Sequence, residues 1–194
     1  MLGPAPPPSL LNAPNLLSLS RLPLAVLLFA LIAYHQWAAG LAVFLVATAT
    51  DMLDGWLARR WDQVSAVGRA LDPLTDKLLV CGAFIYLLPV GDLPDTGLRP
   101  WMVTVVVGRE ILITGVRGMV EAAGRSFGAD AFGKLKTVLQ CVLIAGLLAE
   151  QALRGWEVAV PGLGPAILAV TYVTVLATVG SGVQYLHKAA KLLG

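Results

Sequence analysis

Apolar residues in this chain do not recur at the spacing of a half-buried strand or of an amphipathic surface helix. They run on turn after turn and are interrupted by short polar clusters. Six such runs can be read, at approximately Leu16–Tyr34, Ala39–Leu57, Leu71–Val90, Trp101–Val120, Leu135–Leu153 and Leu163–Leu186. A helix rises 1.5 Å per residue, so about 20 apolar residues cross a hydrocarbon core of about 30 Å. The pattern predicts an all-α fold, a polytopic membrane bundle of six transmembrane helices. Little chain remains outside the runs apart from a stiff head, residues 1–14, with Pro4, Pro6, Pro7 and Pro8. No internal repeat or shift of composition marks a second unit, so residues 15–194 read as one transmembrane domain.

Composition agrees with that reading. Of 194 residues, 57% are apolar and only 13% charged, with a mean hydropathy of +0.77. Soluble domains carry about 25% charged residues, because a water-facing surface of this size has to be covered by polar groups. The solvent over most of this surface is therefore expected to be lipid. The fourteen Lys and Arg divide unevenly between the two sides that six spans define. Arg21, Arg59, Arg60, Arg69, Lys77, Arg125, Lys134, Lys136, Lys188 and Lys191 fall toward one side, and only Arg99 and Arg154 toward the other. The positive-inside rule then places both termini and the two basic turnarounds in the cytoplasm, and the protein in the inner membrane. The first apolar run lacks the basic n-region of a signal peptide and reads as a span. Cys81 and Cys141 both fall inside runs and read as small apolar fillers rather than a disulfide. His35 and Trp37 read as residues of the interfacial belt. Membrane lipids are expected partners and nucleic acid is not; a homodimer is allowed by the sequence and not fixed by it.

Candidate chemistry concentrates between the second and third runs. Asp51 and Asp54 are followed by Gly55, Ala58 and Arg59, and then by Gly68, Asp72 and Asp76. An ionised carboxylate inside an apolar helix costs roughly 2.5 to 3.5 kcal/mol on insertion scales, so intramembrane acids are functional by default. Spacings of three and four place Asp51 with Asp54, and Asp72 with Asp76, on single helix faces. Gly55, Ala58 and Gly68 continue the same two stripes with small residues that let a flat ligand approach backbone. Asp76 is about 12 Å of helix from Gly68, roughly the reach of a nucleotide from base to pyrophosphate. Four neighbouring carboxylates in low dielectric require cations, and an all-oxygen set favours Mg2+, Mn2+ or Ca2+ over zinc. Two ions would clamp a diphosphate. The plainer alternative is that each acid pairs with Arg59, Arg60 or Arg69 and that the small residues serve helix packing. That alternative does not predict all seven features on two facing stripes.

The pattern D-x-x-D-G-x-x-A-R, eight residues, then G-x-x-x-D-x-x-x-D resembles the signature of the CDP-alcohol phosphotransferases, with every fixed position filled. Further stretches, Asn15 to Arg21, Arg109 to Arg117, Gly133 to Gln140 and Ser181 to Tyr185, are most similar to the phosphatidylglycerophosphate synthase branch. The resemblance covers about 170 residues, with Ser18 standing where that branch usually has Thr. It implies that Asp51, Asp54, Asp72 and Asp76 hold two Mg2+ or Mn2+ ions, with Asp76 also the general base. It implies that Gly55, Ala58 and Gly68 line the cytidine nucleotide and that Arg59 meets the diphosphate. The implied substrates are CDP-diacylglycerol and glycerol 3-phosphate, and the products phosphatidylglycerol phosphate and CMP.

A second cluster lies in the fourth and fifth runs. Arg109 and Glu110 sit well inside an apolar stretch, Arg117 follows seven residues after Glu110, and Lys134 and Lys136 open the next helix. Arg109, Arg117, Lys134 and Lys136 are expected to gather the phosphate of an anionic acceptor. Glu110 would hold one arginine, and Thr137 or Gln140 would add neutral hydrogen bonds. The alternative for the two lysines is ordinary attraction to anionic headgroups. Asn15 and Arg21 read as a helix cap and a snorkelling cation in preference to residues that touch the metal site, and Ser181, Gln184 and Tyr185 read either as interfacial anchors or as site residues. Two rivals to the phosphatidyl transfer to glycerol 3-phosphate stand beside it. One is a same-family synthase with another acceptor, making cardiolipin or phosphatidylinositol phosphate. The other is a cation or proton transporter, which would also bury acids and arginines but would not need small residues at nucleotide depth.

Overall fold

The computed structural model describes the backbone of residues 13–61, 77–88, 96–125 and 131–193, with side chains for 21–50, 77–88, 96–125 and 132–192. Six helices occur among the described residues: α1 (Ala13–Ala33), α2 (Trp37–Trp61), α4 (Pro100–Ala122), α5 (Ala131–Gly155) and α6 (Leu163–Leu193), and α3, whose described part is Lys77–Tyr86. Each falls on one of the six apolar runs. Most of the proline-rich head lies outside the described residues, and α1 already includes Pro14.

Local chemistry sets several helix ends. Arg99 is extended (φ −116°, ψ 148°) and Pro100 opens α4, where the missing N–H of proline costs nothing and its fixed φ suits the first turn. The helix stops at Gly124, whose φ of +73° is the left-handed conformation that closes helix C-termini. Its N–H reaches back to the Glu121 carbonyl at 2.9 Å, and that of Arg125 to the Val120 carbonyl at 3.2 Å. Between α1 and α2 the chain reverses within three residues. His35 adopts φ 58°, and the Gln36 N–H donates to the Leu31 carbonyl at 2.8 Å.

Helix α2 packs against α1 and α5, and α6 against α4 and α5. The main core is aliphatic and aromatic, with Leu28, Ile32, Phe44, Phe84, Leu87, Leu143, Ile144, Leu147 and Leu148 fully buried. Gly40 lets α2 approach closely enough for Leu28 and Leu148 to lie within van der Waals distance of the place a Cβ would take. A smaller cluster of Ile113, Val120, Tyr185 and Ala189 joins α4 to α6.

The outer surface of this bundle is apolar as well as its core. The outer surface carries large apolar side chains such as Val26, Ile111, Leu176 and Val183. The interior holds Arg21, Glu110, Lys136, Gln140, Glu150 and Gln151, together with Thr171, Thr174, Thr178 and Ser181 along one stripe of α6. Those four hydroxyls donate to carbonyls three or four residues back, which satisfies them without water. An apolar outside and a hydrogen-bonded polar inside suit a bundle dissolved in lipid.

Among the described residues two helices are long and apolar enough to cross a membrane by themselves: Phe132–Gly155, mean hydropathy 1.6, and Leu163–Leu192, mean hydropathy 1.9. The apolar helical runs Arg21–Ala33, Trp37–Thr50 and Lys77–Tyr86 are shorter. Helix α4 has the length, but Arg109, Glu110 and Arg117 interrupt its apolar run. The result is an all-α bundle consistent with a polytopic membrane protein. Cys81 and Cys141 form no disulfide and lie half-buried.

A tight contact between α1 and α3 offers a stability test. The Phe29 ring stacks on Tyr86 with centroids 4.9 Å apart and planes 6° from parallel, and a Cβ on Gly82 would overlap that same ring. Since Phe29 is wedged between the two, Gly82→Ala is expected to destabilise the fold by about 1–3 kcal/mol. Thermal unfolding in detergent measures this, and Phe29→Leu in the same chain should restore part of the loss.

Candidate active site

Glu110 is the centre of the buried charge in this bundle. It projects from the middle of α4 and is only 6% exposed. Its Oε1 accepts from Lys136 Nζ of α5 and from Arg109 Nη1 at 3.3 Å. Lys136 is 4% exposed. One carboxylate thus serves two cations, and the group keeps a net positive charge.

Arg109 is fixed from a third helix. Its guanidinium lies 5.5 Å from the centroid of the Tyr185 ring on α6, a cation–π contact. Gly182, one turn before Tyr185, leaves room for the arginine stem, since a Cβ there would sit 3.2 Å from Arg109 Cγ. Among the described residues, Arg109 Nε has no hydrogen-bond partner, and neither does Nε2 of Gln140, which is 1% exposed. Buried donors are nearly always satisfied. Two unspent N–H donors beside excess positive charge suit an anionic, acceptor-rich ligand.

A fourth helix is tied to the cluster through Lys77, the residue after Asp76 in sequence. Its Nζ donates to Thr114 Oγ1 on α4, and Thr114 in turn donates to the Glu110 carbonyl at 2.6 Å. The start of the described part of α3 is therefore held one turn of α4 from Glu110. Sequence reading placed Lys77 with the cytoplasmic charges and did not foresee this bond. Its position next to Asp76 was the available signal.

The acceptor residues expected from sequence separate into two groups. Glu110, Lys136 and Gln140 are buried, while the Arg109 side chain is 11% exposed; Arg109, Glu110 and Lys136 are bonded directly. Arg117 and Lys134 are exposed. Arg117 Nε pairs with Glu121 one turn on, at 3.3 Å, and its side chain is exposed, although the spacing of seven puts it within about 20° of Glu110 around the helix. Thr137 donates to the Gly133 carbonyl at 3.2 Å, a bond within its own helix.

Three further expectations need correction. Arg21 does not snorkel; it is buried, well inside α1, which begins at Ala13. Asn15 lies within the first turn of α1 rather than before it. Tyr185 and Ser181 are buried rather than interfacial anchors, because α6 packs that face on α4 and α5. Gln184 is exposed. His35 stacks on Trp37 with ring centroids 5.5 Å apart.

Of the aspartate motif, the structure describes only the α2 half, and of that only backbone. Asp51, Asp54, Gly55, Ala58 and Arg59 occupy the last turns of α2, which is unbroken to Trp61, so the helical spacing assumed for the first two acids is present. Gly68, Asp72 and Asp76 lie outside the described residues. Among the described side chains no group of three His, Cys, Asp or Glu comes together; the four aspartates are not among those side chains.

Comparison with known proteins bears on the same segments. The CDP-alcohol phosphatidyltransferase family model matches residues 11–180, which include all four aspartates and the Glu110 cluster. The chain belongs to the CDP-alcohol phosphatidyltransferase family. It is 33% identical over 192 residues to the CDP-diacylglycerol–glycerol-3-phosphate 3-phosphatidyltransferase of Bacillus subtilis, with 91% of this chain and 94% of the relative covered. The protein of the same name from Escherichia coli K12 is 35% identical over 190 residues, covering 92% and 94%. That from Shigella flexneri serotype 5b is 38% identical over 147 residues, covering 71% and 76%. Family membership makes the Glu110 cluster a candidate part of a transferase site rather than an isolated structural ion pair.

Removing Glu110 would leave buried Lys136 and largely buried Arg109 without their carboxylate. Glu110→Ala is expected to destabilise the protein by about 3–5 kcal/mol, because breaking a buried pair from one side leaves uncompensated charge. Thermal unfolding in detergent checks this. A Glu110→Gln/Lys136→Met double variant, which removes one charge of each sign, should recover much of the loss.

Proposed function

We propose that this chain transfers the phosphatidyl group of CDP-diacylglycerol to sn-glycerol 3-phosphate, giving phosphatidylglycerol phosphate and CMP. The observation that carries the reading is the largely buried, net-positive cluster of Arg109, Lys136 and Glu110, with Lys77 bonded to α4 beside it. Three relatives named for this reaction support it, two of them matched over nine-tenths of this chain. In the proposed arrangement all six helices span the inner membrane, with the termini and the site on the cytoplasmic side. Residues 15–194 form the transmembrane domain. The apolar outer surface supports the bilayer placement, as does the concentration of Lys and Arg at one end of the spans.

Asp51, Asp54, Asp72 and Asp76 would hold two divalent cations. Their donor set fits: it is all oxygen, as Mg2+ and Mn2+ prefer, and Asp51 and Asp54 lie three apart on continuous helix. When bound, the ions supply neutralisation of the diphosphate and of the departing CMP. Gly55, Ala58 and Gly68 line the cytidine side, and Arg59 meets the diphosphate.

Arg109 and Lys136 bind the phosphate of glycerol 3-phosphate, and Gln140 Nε2 adds a neutral donor. Arg117, Lys134 and Thr137 stand at its edge and steer the anion inward. Glu110 restrains both inner cations, so the bound phosphate meets fixed rather than mobile charge. Asp76 takes the proton from the glycerol hydroxyl as its oxygen attacks the phosphorus that carries diacylglycerol. The bond from that phosphorus to the CMP oxygen breaks, and CMP leaves with the electron pair.

Release of CMP by purified protein is the direct test. Turnover is expected with CDP-diacylglycerol, glycerol 3-phosphate and Mg2+ or Mn2+ together, with loss of more than about a thousandfold in Asp72→Asn. Absence of turnover in wild type under those conditions, or release with inositol phosphate or phosphatidylglycerol as acceptor in place of glycerol 3-phosphate, would overturn the assignment. Arg109→Ala should raise the KM for glycerol 3-phosphate about tenfold or more, the worth of a charge-assisted hydrogen bond, and leave the KM for CDP-diacylglycerol nearly unchanged. Equal effects on both would remove Arg109 from the acceptor pocket.

A further inference from the structure

Only two of the fourteen Lys and Arg fall on the outer side of the expected topology, Arg99 and Arg154. They are far apart in sequence, yet the fold brings both to the lining of one recess of about 510 Å3. Glu150 lines the same recess, one turn before Arg154 on α5. It lies fourteen residues beyond Lys136, or about 21 Å along the helix, at the end remote from the candidate active site.

The recess is built rather than accidental in three respects. Glu150 is buried and accepts from Arg154 Nη2 at 2.7 Å, so the guanidinium is oriented, while the Arg154 side chain stays 53% exposed. Gly164 makes room for the carboxylate, since a Cβ there would sit 3.4 Å from Glu150 Oε1. One wall is formed by Leu168 and Tyr172 of α6, both exposed on the apolar outer surface. The recess thus combines two guanidinium groups, one carboxylate and a side continuous with the lipid-facing surface. Among the described residues that line it, two arginines stand with one glutamate, and its volume is in the range of small-ligand sites.

We propose that this recess binds the phosphodiester of an anionic phospholipid from the outer leaflet. Arg99 and Arg154 take the phosphate oxygens, and the glycerol and acyl chains leave across Leu168 and Tyr172 into the bilayer. The site shares no residue with the acceptor pocket at the other end of the bundle and does not depend on the transfer reaction.

Native mass spectrometry of the full chain in uncharged detergent, with short-chain phosphatidylglycerol, phosphatidylcholine or inorganic phosphate, tests this. Wild type is expected to retain one phosphatidylglycerol that Arg99→Gln and Arg154→Gln each bind about tenfold more weakly. Arg109→Ala should keep it, which separates this lipid from any bound at the candidate active site. Arg99→Gln leaves the Glu150–Arg154 pair in place, so the test survives if Arg154→Gln does not fold. Equal retention of phosphatidylglycerol by wild type and both outer variants would overturn the proposal. Equal retention of phosphatidylcholine, loss of the lipid in Arg109→Ala, or retention of inorganic phosphate in place of lipid would do so too.

Discussion

A carboxylate taken out of water must be answered by positive charge at hydrogen-bond distance, and in this protein that requirement falls on Glu110. Its partners come from its own helix and from α5, and Arg109 is pinned in turn by Tyr185 of α6. Desolvating three charges costs several kcal/mol for each ion, and only close pairing offsets it. The relative placement of α4, α5 and α6 is therefore constrained by charge as much as by packing, and sliding one helix by a turn would separate the pair. Aliphatic contacts alone are less selective, because cores tolerate rearrangement as long as volume and pattern are kept.

The same constraint reaches a fourth helix. Lys77 follows Asp76 in sequence and is bonded to Thr114, whose hydroxyl meets the Glu110 carbonyl. The described start of α3 is thereby anchored beside a segment that carries cations. Lys77 and Thr114 thereby tie a fourth helix to the Glu110 cluster.

Charge recurs at the opposite end in smaller amount and different form. There Glu150 orients Arg154, and Arg99 completes the lining of an open recess. Between the two ends the interior is mostly apolar, and the polar side chains of α6 spend their hydrogen bonds on their own helix. The bundle is thus an apolar middle with two polar ends, the arrangement expected where headgroups and water meet a bilayer.

Length and apolarity of the runs by themselves determined the all-α architecture and the position of each helix, because in lipid a continuous apolar run has no hydrogen-bonding option other than helix or closed barrel. Spacing within the motif determined the family, since a fixed pattern of acids and small residues carries its own chemistry. What the sequence did not reveal was pairing. Arg117 and Glu110 share a face on paper, but a nearer carboxylate takes the arginine and Lys136 takes the glutamate. Arg21 and Tyr185 looked interfacial by position and are buried by packing. Arg99 and Arg154 had no visible connection until three helix ends met around one recess. Composition and period describe one element at a time, whereas the partner of a charge depends on which neighbouring helix faces it and at what height, and only the tertiary structure decides that.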